Sequence, residues 1–131
     1  MFQNLPIWSR LLCSFALALL VSYYMTPHVK NFAEKVGAID VPRDARRIHD
    51  HPIPRMGGLA IFMGFIMSII VFVTFDSQVL GLLLGALIIA VVGGVDDIIP
   101  LSPGVKLLAQ FIAALVCIRS GIVFNAISNP N

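Results

Sequence analysis

Two adjacent carboxylates, Asp96 and Asp97, directly follow the uncharged run VVGGV. Like charges repel, and at the low-dielectric end of an apolar segment the pKa of at least one carboxyl rises unless a cation compensates. Hard oxygen ligands in this position suit Mg²⁺, which takes one or two carboxylates and completes its shell with water and phosphate oxygens. We therefore predict Asp96 and Asp97 as ligands of Mg²⁺, or of Mn²⁺, beside a phosphorylated substrate. The alternative is a pair of solvated residues that end a helix.

Lys106 lies one helical turn before Gln110, so its ammonium can point back towards the two carboxylates or towards a phosphate. We predict a charge-stabilising role for Lys106. The alternative is that its side chain simply extends to the membrane interface.

A second charged segment, AIDVPRDARRIHDHPIPRMGG, has three prolines that exclude a continuous helix. A basic loop that contacts anionic lipid headgroups is one interpretation, but such a loop gains nothing from interleaved acids. Charges of both signs favour a site for phosphates and a metal. Zinc is a weak alternative, because His49 and His51 are too few ligands and no cysteine is near. The candidate binding residues are Asp40, Arg43, Arg46, His49, Arg55, Gly57 and Gly58. The two glycines allow close approach of another helix or of a ligand.

The composition of the 131-residue chain indicates a membrane protein. It is 58% hydrophobic and 12% charged, with a mean hydropathy of +0.91, whereas soluble domains carry about 25% charged residues. These values exclude a soluble single-core enzyme and a disordered tail. The net charge of +2 excludes a nucleic-acid binder.

Four apolar stretches, residues 7–25, 56–75, 79–95 and 105–124, predict an all-α bundle of about four membrane spans. Six of the nine Lys and Arg residues lie in loop 26–55, which we therefore place in the cytoplasm together with loop 96–104. The first loop should begin with a helix that is capped by Thr26 and ends at Gly37. The two charged segments then share one face of the membrane.

These motifs resemble the polyprenyl-phosphate N-acetylhexosamine-1-phosphate transferases, glycosyltransferase family 4. The stretch DVPRDARRIHDHPIPRMGGLAIF is similar to the first cytoplasmic loop of that family, and GGVDDIIPLSPGVKLLAQ is similar to its paired-aspartate motif. The HxxPIPRxGG form is more similar to the bacterial branch that uses UDP-GlcNAc than to the branch that uses UDP-MurNAc-pentapeptide. The resemblance covers residues 37–110, and the first span fits as well.

The resemblance implies transfer of GlcNAc-1-phosphate, or another N-acetylhexosamine-1-phosphate, from a UDP-sugar to undecaprenyl phosphate with release of UMP. It implies Mg²⁺ at Asp96 and Asp97, phosphate stabilisation by Lys106, and a cytoplasmic active face in the cell membrane. The pathway would be cell-wall or surface glycan synthesis, such as peptidoglycan or teichoic acid.

Members of this family have more membrane spans than this chain, which we expect to be an N-terminal part that needs a C-terminal half or a second copy. Two alternatives stay open. One is a non-catalytic assembly or regulatory partner of a complete transferase. The other is a small transporter or channel subunit with an ion site at Asp96-Asp97.

Overall fold

Four α-helices and one short ladder form the part of the chain that the computed structural model describes, residues 6–40 and 53–122. The helices are α1 (Ile7–Val36), α2 (Gly57–Phe72), α3 (Ser77–Ile98) and α4 (Pro103–Arg119). Strands β1 (Ile39–Asp40) and β2 (Ile53–Pro54) pair antiparallel. The all-α bundle predicted from the sequence is confirmed, and the ladder is an addition that hydrophobic periodicity did not indicate.

Helix α1 is continuous through Pro27, so the separate helix predicted to start at Thr26 is wrong. Proline removes one backbone donor, and membrane helices tolerate it where neighbouring side chains supply hydrogen bonds. The Thr26 hydroxyl donates to the carbonyl of Ser22 at 2.7 Å, and the His28 ring nitrogen Nδ1 lies 3.1 Å from the carbonyl of Tyr24. Thr26 thus lies in the interior of α1 and does not cap the start of a helix.

The predicted end of α1 at Gly37 is confirmed. Gly37 has φ 77°, and its amide and that of Ala38 both donate to the carbonyl of Ala33. This left-handed ending is one that glycine adopts without steric cost. It turns the chain directly into β1.

Helices α1 and α2 form one closely packed pair. A Cβ at Gly64 would collide with the carbonyl oxygen of Ala18, so only glycine permits this approach. The hydroxyl of Ser68 on α2 donates to the carbonyl of Ser14 on α1 at 2.9 Å. A small apolar core closes the end of the pair that is nearest the charged segments, formed by Val29, Ala33, Ala38, Met56 and Ala60.

Helices α3 and α4 form a second pair. Asp76 caps α3 by accepting from the amide of Val79 at 2.8 Å. A Cβ at Gly85 would lie 2.9 Å from Sγ of Cys117 and 3.2 Å from the carbonyl of Ala113. Gly81, one turn earlier, would collide with Ser120. The Gly-x-x-x-Gly spacing on α3 therefore sets the contact with α4.

Among the described helices, α1 and α3 are long and apolar enough to cross a membrane, while α2 is apolar and shorter, with 16 residues. Each predicted span coincides with one helix, but the helix ends differ from the predicted span ends. Val73 is extended and ends α2 before residue 75, and α4 runs over Pro103–Arg119 within a predicted span of 105–124. The membrane boundaries themselves remain predictions.

Candidate functional site

The start of α2 lies against the end of α3, and this places the two charged segments together. Met56, the residue before α2, donates its amide to Oδ2 of Asp97 at 3.0 Å. Because α2 follows the first loop and Asp97 lies in the loop predicted to follow the third span, the contact joins the two segments that the topology assigned to one membrane face. The sequence predicted that these segments share one face of the membrane, and the structure adds a direct contact between them.

Met56 holds that contact with an unusual backbone. Its φ of 71° is the one positive value at a non-glycine residue in the described part of the chain, and this conformation costs L-residues about 1–2 kcal/mol. The side chain is buried, and its Cε lies 3.4 Å from where a Cβ of Gly94 would stand. Sequence reasoning missed Met56 because the neighbouring Gly57 and Gly58 are the residues expected to take a left-handed conformation.

Asp96 faces the other way, into the turn between α3 and α4. Its Oδ1 accepts from the amide of Leu101 at 2.8 Å, and its Oδ2 lies 2.7 Å from Nζ of Lys106. These residues lie just past the uncharged part of α3, which ends at residue 95. The hydrogen bonds from the Lys106 ammonium and the Leu101 amide, together with the positive charges of Lys106 and Arg55, hold the pKa of Asp96 below its ordinary value. Lys106 is therefore a cation of the kind expected to compensate two adjacent carboxylates.

Arg55 is fixed at the end of the first loop. Its amide donates to the carbonyl of Ala38 at 2.8 Å, which continues the ladder of β1 and β2 by one more backbone contact. The register pairs Ile39 with Pro54 and Asp40 with Ile53. The two ends of the first loop therefore lie side by side, and the second end, at Arg55 and Met56, lies next to Asp96 and Asp97.

Several predicted loop residues lie outside the described residues, namely Arg43, Arg46 and His49. For Asp40 the structure gives the backbone position in β1. Gly57 and Gly58 are described, and a Cβ on either would meet no atom within 4 Å. The interpretation that they serve close helix packing is therefore wrong within the described part, because the space beside them is open. Their approach to a ligand stays a prediction.

An apolar groove of about 630 Å³ runs between α2 and α3 and ends at Asp96 and Asp97. Its walls include Phe62 and Phe65 from α2 and Ala90 from α3. The groove exists because α1 packs on α2, and α3 on α4, more closely than α2 packs on α3. A molecule with an apolar chain and a charged head could place each part against matching chemistry here.

The carboxylates fit a hard divalent cation that takes few protein ligands. Within residues 6–40 and 53–122, no cluster of three or more His, Cys, Asp or Glu side chains could enclose a metal. Zinc sites use three or four protein ligands, whereas Mg²⁺ is commonly held by one or two carboxylates with phosphate oxygens and water. The donor set at the end of α3 therefore suits Mg²⁺ or Mn²⁺ brought together with a phosphate.

Comparison with known proteins gives one matching family model, described as glycosyl transferase family 4, over residues 79–131. That segment contains Asp96, Asp97 and Lys106. The resemblance seen in the sequence is confirmed.

Three curated relatives support the same family. A probable undecaprenyl-phosphate N-acetylglucosaminyl 1-phosphate transferase of Bacillus subtilis (strain 168) is 37% identical over 92% of this chain and 34% of its own length. Decaprenyl-phosphate N-acetylglucosaminephosphotransferases of Mycobacterium tuberculosis (strain CDC 1551 / Oshkosh) and Mycolicibacterium smegmatis (strain ATCC 700084 / mc(2)155) are 31% and 30% identical, each over 86% of this chain and 30% of their own length. The chain thus spans about a third of the relatives it matches. No solved structure matches it significantly.

Proposed function

We propose that this chain forms the cytoplasmic, phosphate-facing corner of a transferase that moves GlcNAc-1-phosphate from UDP-GlcNAc to undecaprenyl phosphate and releases UMP. The observation that carries the proposal is the meeting of Asp97 with Met56 and of Asp96 with Lys106 at the charged end of an apolar groove. The names of the relatives support a polyprenyl phosphate as acceptor and N-acetylglucosamine phosphate as the transferred group.

The reaction is a substitution at phosphorus. An oxygen of the acceptor phosphate attacks the phosphorus that carries the sugar, the bond from that phosphorus to the bridging oxygen of the UMP group breaks, and UMP leaves with the bonding electrons. The product is a polyprenyl pyrophosphate that bears GlcNAc. Such transfers need positioning and charge neutralisation more than covalent help from the protein.

The residues at the end of α3 supply those two requirements. Lys106 and Arg55 lie near Asp96 and place positive charge where phosphate oxygens would gather. Asp97 offers a carboxylate for Mg²⁺. When bound, this ion would neutralise pyrophosphate charge and make UMP a better leaving group. In this proposal Arg43, Arg46 and His49, which lie in the sequence between the paired strands β1 and β2, complete the basic lining.

The proposal also sets the location. The cell membrane holds the acceptor chain in lipid, and the cytoplasmic face brings its phosphate to the soluble nucleotide sugar. The glycan made belongs to the cell wall or the cell surface. In this proposal the site is completed by further residues from a C-terminal half or a second copy.

The test uses bacterial membranes that contain this chain, either alone or together with the remaining part of the Bacillus subtilis relative beyond the matched segment. Radiolabelled UDP-GlcNAc, undecaprenyl phosphate and Mg²⁺ are added, and the lipid extract is analysed for polyprenyl-pyrophosphoryl-GlcNAc. We expect product from the combination and none from the remaining part by itself. No product from the combination, with both parts present in the membrane, would overturn the proposal.

A further inference from the structure

The two carboxylates at the end of α3 differ in how many of their oxygens are already occupied. Both oxygens of Asp96 have partners, Oδ1 with the amide of Leu101 and Oδ2 with the ammonium of Lys106. Asp97 uses Oδ2 to accept from the amide of Met56. Its Oδ1 accepts no hydrogen bond from any residue that the structure describes.

We propose a division of roles within the pair: Asp97 is the metal ligand, through Oδ1, and Asp96 is a positioning residue that keeps Lys106 away from that oxygen. This inference rests on the proposed function, because it presumes a divalent cation at the corner. It goes further by separating two residues that are adjacent and chemically identical in the sequence.

The position of Lys106 makes the separation necessary. Lys106 lies in the first turn of α4, at the edge of the α3–α4 turn, and its side chain is 43% exposed. An exposed ion pair contributes little to stability, typically below about 1 kcal/mol. Its value here is geometric, because an ammonium released from Asp96 could pair with the adjacent carboxylate and compete with a cation for it.

The Leu101 amide fixes Asp96 in this role. It lies five residues along the chain from Asp96, beyond the last residue of α3, and so ties the turn back onto the helix. The hydrogen bond from the Met56 amide fixes Asp97 in the same way, because it holds Oδ2 and thereby orients Oδ1. Each carboxylate is thus held from a different element, Asp96 by the turn before α4 and Asp97 by the start of α2.

The experiment measures Mn²⁺ binding by the chain in phosphatidylcholine nanodiscs, without nucleotide or polyprenyl phosphate. The readout is paramagnetic broadening of the backbone amide resonance of Met56, which is bonded to Asp97. The variants are Asp97→Asn, Asp96→Asn and the double variant Asp96→Asn with Lys106→Gln. Asn keeps a carbonyl acceptor for the Met56 or Leu101 amide, and Asp76→Asn at the opposite end of α3 is the matched control.

We expect Asp97→Asn to require at least about tenfold more Mn²⁺ for the same broadening, and Asp96→Asn about threefold more. The double variant should need the same Mn²⁺ concentration as the wild type, because Lys106→Gln removes the ammonium that would otherwise compete for Asp97. The control should match the wild type. Rescue of Asp96→Asn by Lys106→Gln is a result that a direct ligand role for Asp96 would not give.

Three results would overturn the inference: no broadening in the wild type, a double variant that binds no better than Asp96→Asn, or an Asp97→Asn variant that binds like the wild type. Transfer activity does not enter this measurement. A chain that binds Mn²⁺ through Asp97 but supports no transfer would therefore contradict the proposed function and leave the division of roles intact.

Discussion

The backbone amide of Met56 lies 3.0 Å from Oδ2 of Asp97, and this hydrogen bond joins residues that are 41 positions apart in the chain. It is the described contact that ties the start of α2 to the end of α3. Since α2 and α3 otherwise pack loosely, the bond sets how the α1–α2 pair meets the α3–α4 pair at the charged face.

This contact predicts different stabilities for two substitutions at one position. Asp97→Ala removes the acceptor, so the unfolding free energy should fall by about 1–2 kcal/mol. Asp97→Asn keeps an acceptor, so its unfolding free energy should fall by less than about half of that amount. Thermal unfolding in detergent, followed by circular dichroism, measures both. Equal losses for the two variants would show that charge, and not the hydrogen bond, holds the helices together.

The glycines that lie between helices predict a second contrast. Gly64→Ala places a methyl against the carbonyl of Ala18, and Gly85→Ala places one against Cys117 and Ala113. Each should lower stability by about 1–3 kcal/mol, because the packed helices must move apart. Gly93→Ala is the matched control, since nothing lies within 4 Å of its Cβ and alanine favours helix by about 1 kcal/mol. Destabilisation by Gly93→Ala equal to that by Gly64→Ala would contradict the packing.

The lowered pKa of Asp96 predicts a pH dependence with a definite sign. A carboxyl whose pKa is lower in the folded chain contributes its full stabilisation above its ordinary value of 3.8 and loses it as pH falls through the lowered value. The protection factor of the Leu101 amide in hydrogen exchange should therefore be constant above about pH 5 and fall in stronger acid. Asp96→Asn should remove that fall. A decrease that begins between neutral pH and about pH 5 would contradict it.

The predicted orientation is tested by labelling single cysteines. Gln78 is exposed at one end of the bundle, and Lys35 is exposed at the end that carries Asp96 and Asp97. In a variant that lacks Cys13 and Cys117, a membrane-impermeant maleimide should label Gln78→Cys in intact spheroplasts. It should label Lys35→Cys after permeabilisation. The reverse pattern would place the charged corner outside the cell.

The sequence was sufficient to predict the four apolar helices, and it placed the two charged segments on one face of the membrane without indicating their contact. Uncharged runs of membrane length predict spans, and the distribution of Lys and Arg predicts their orientation, without knowledge of tertiary contacts. The end of α1 at Gly37 was predictable for the same reason, since the left-handed ending has a residue signature.

The remaining features depend on tertiary contacts that have no local signal. Thr26 and Pro27 have the residue types of a helix start, yet α1 continues through both, and the Thr26 hydroxyl donates to the carbonyl of Ser22 within that helix. The residue with left-handed backbone before α2 is Met56 and not one of the two glycines that follow it. In this conformation the Met56 amide donates to Asp97, a contact that the local sequence does not indicate. Asp96 and Asp97 are equivalent in sequence, and only the turn at Leu101 and the position of α2 distinguish them.

The most direct test of the central claim is the transfer rate of a chimera in which this chain replaces the matched third of the Bacillus subtilis relative. Membranes with the chimera are assayed for polyprenyl-pyrophosphoryl-GlcNAc with saturating UDP-GlcNAc and undecaprenyl phosphate. Asp97→Asn should lower the rate by about 100-fold or more, as loss of a metal-binding or transition-state contact does. Asp76→Asn, which keeps the cap of α3, should leave it unchanged. Full activity of Asp97→Asn, or an equal loss in both variants, would contradict the assignment of the reaction to this corner.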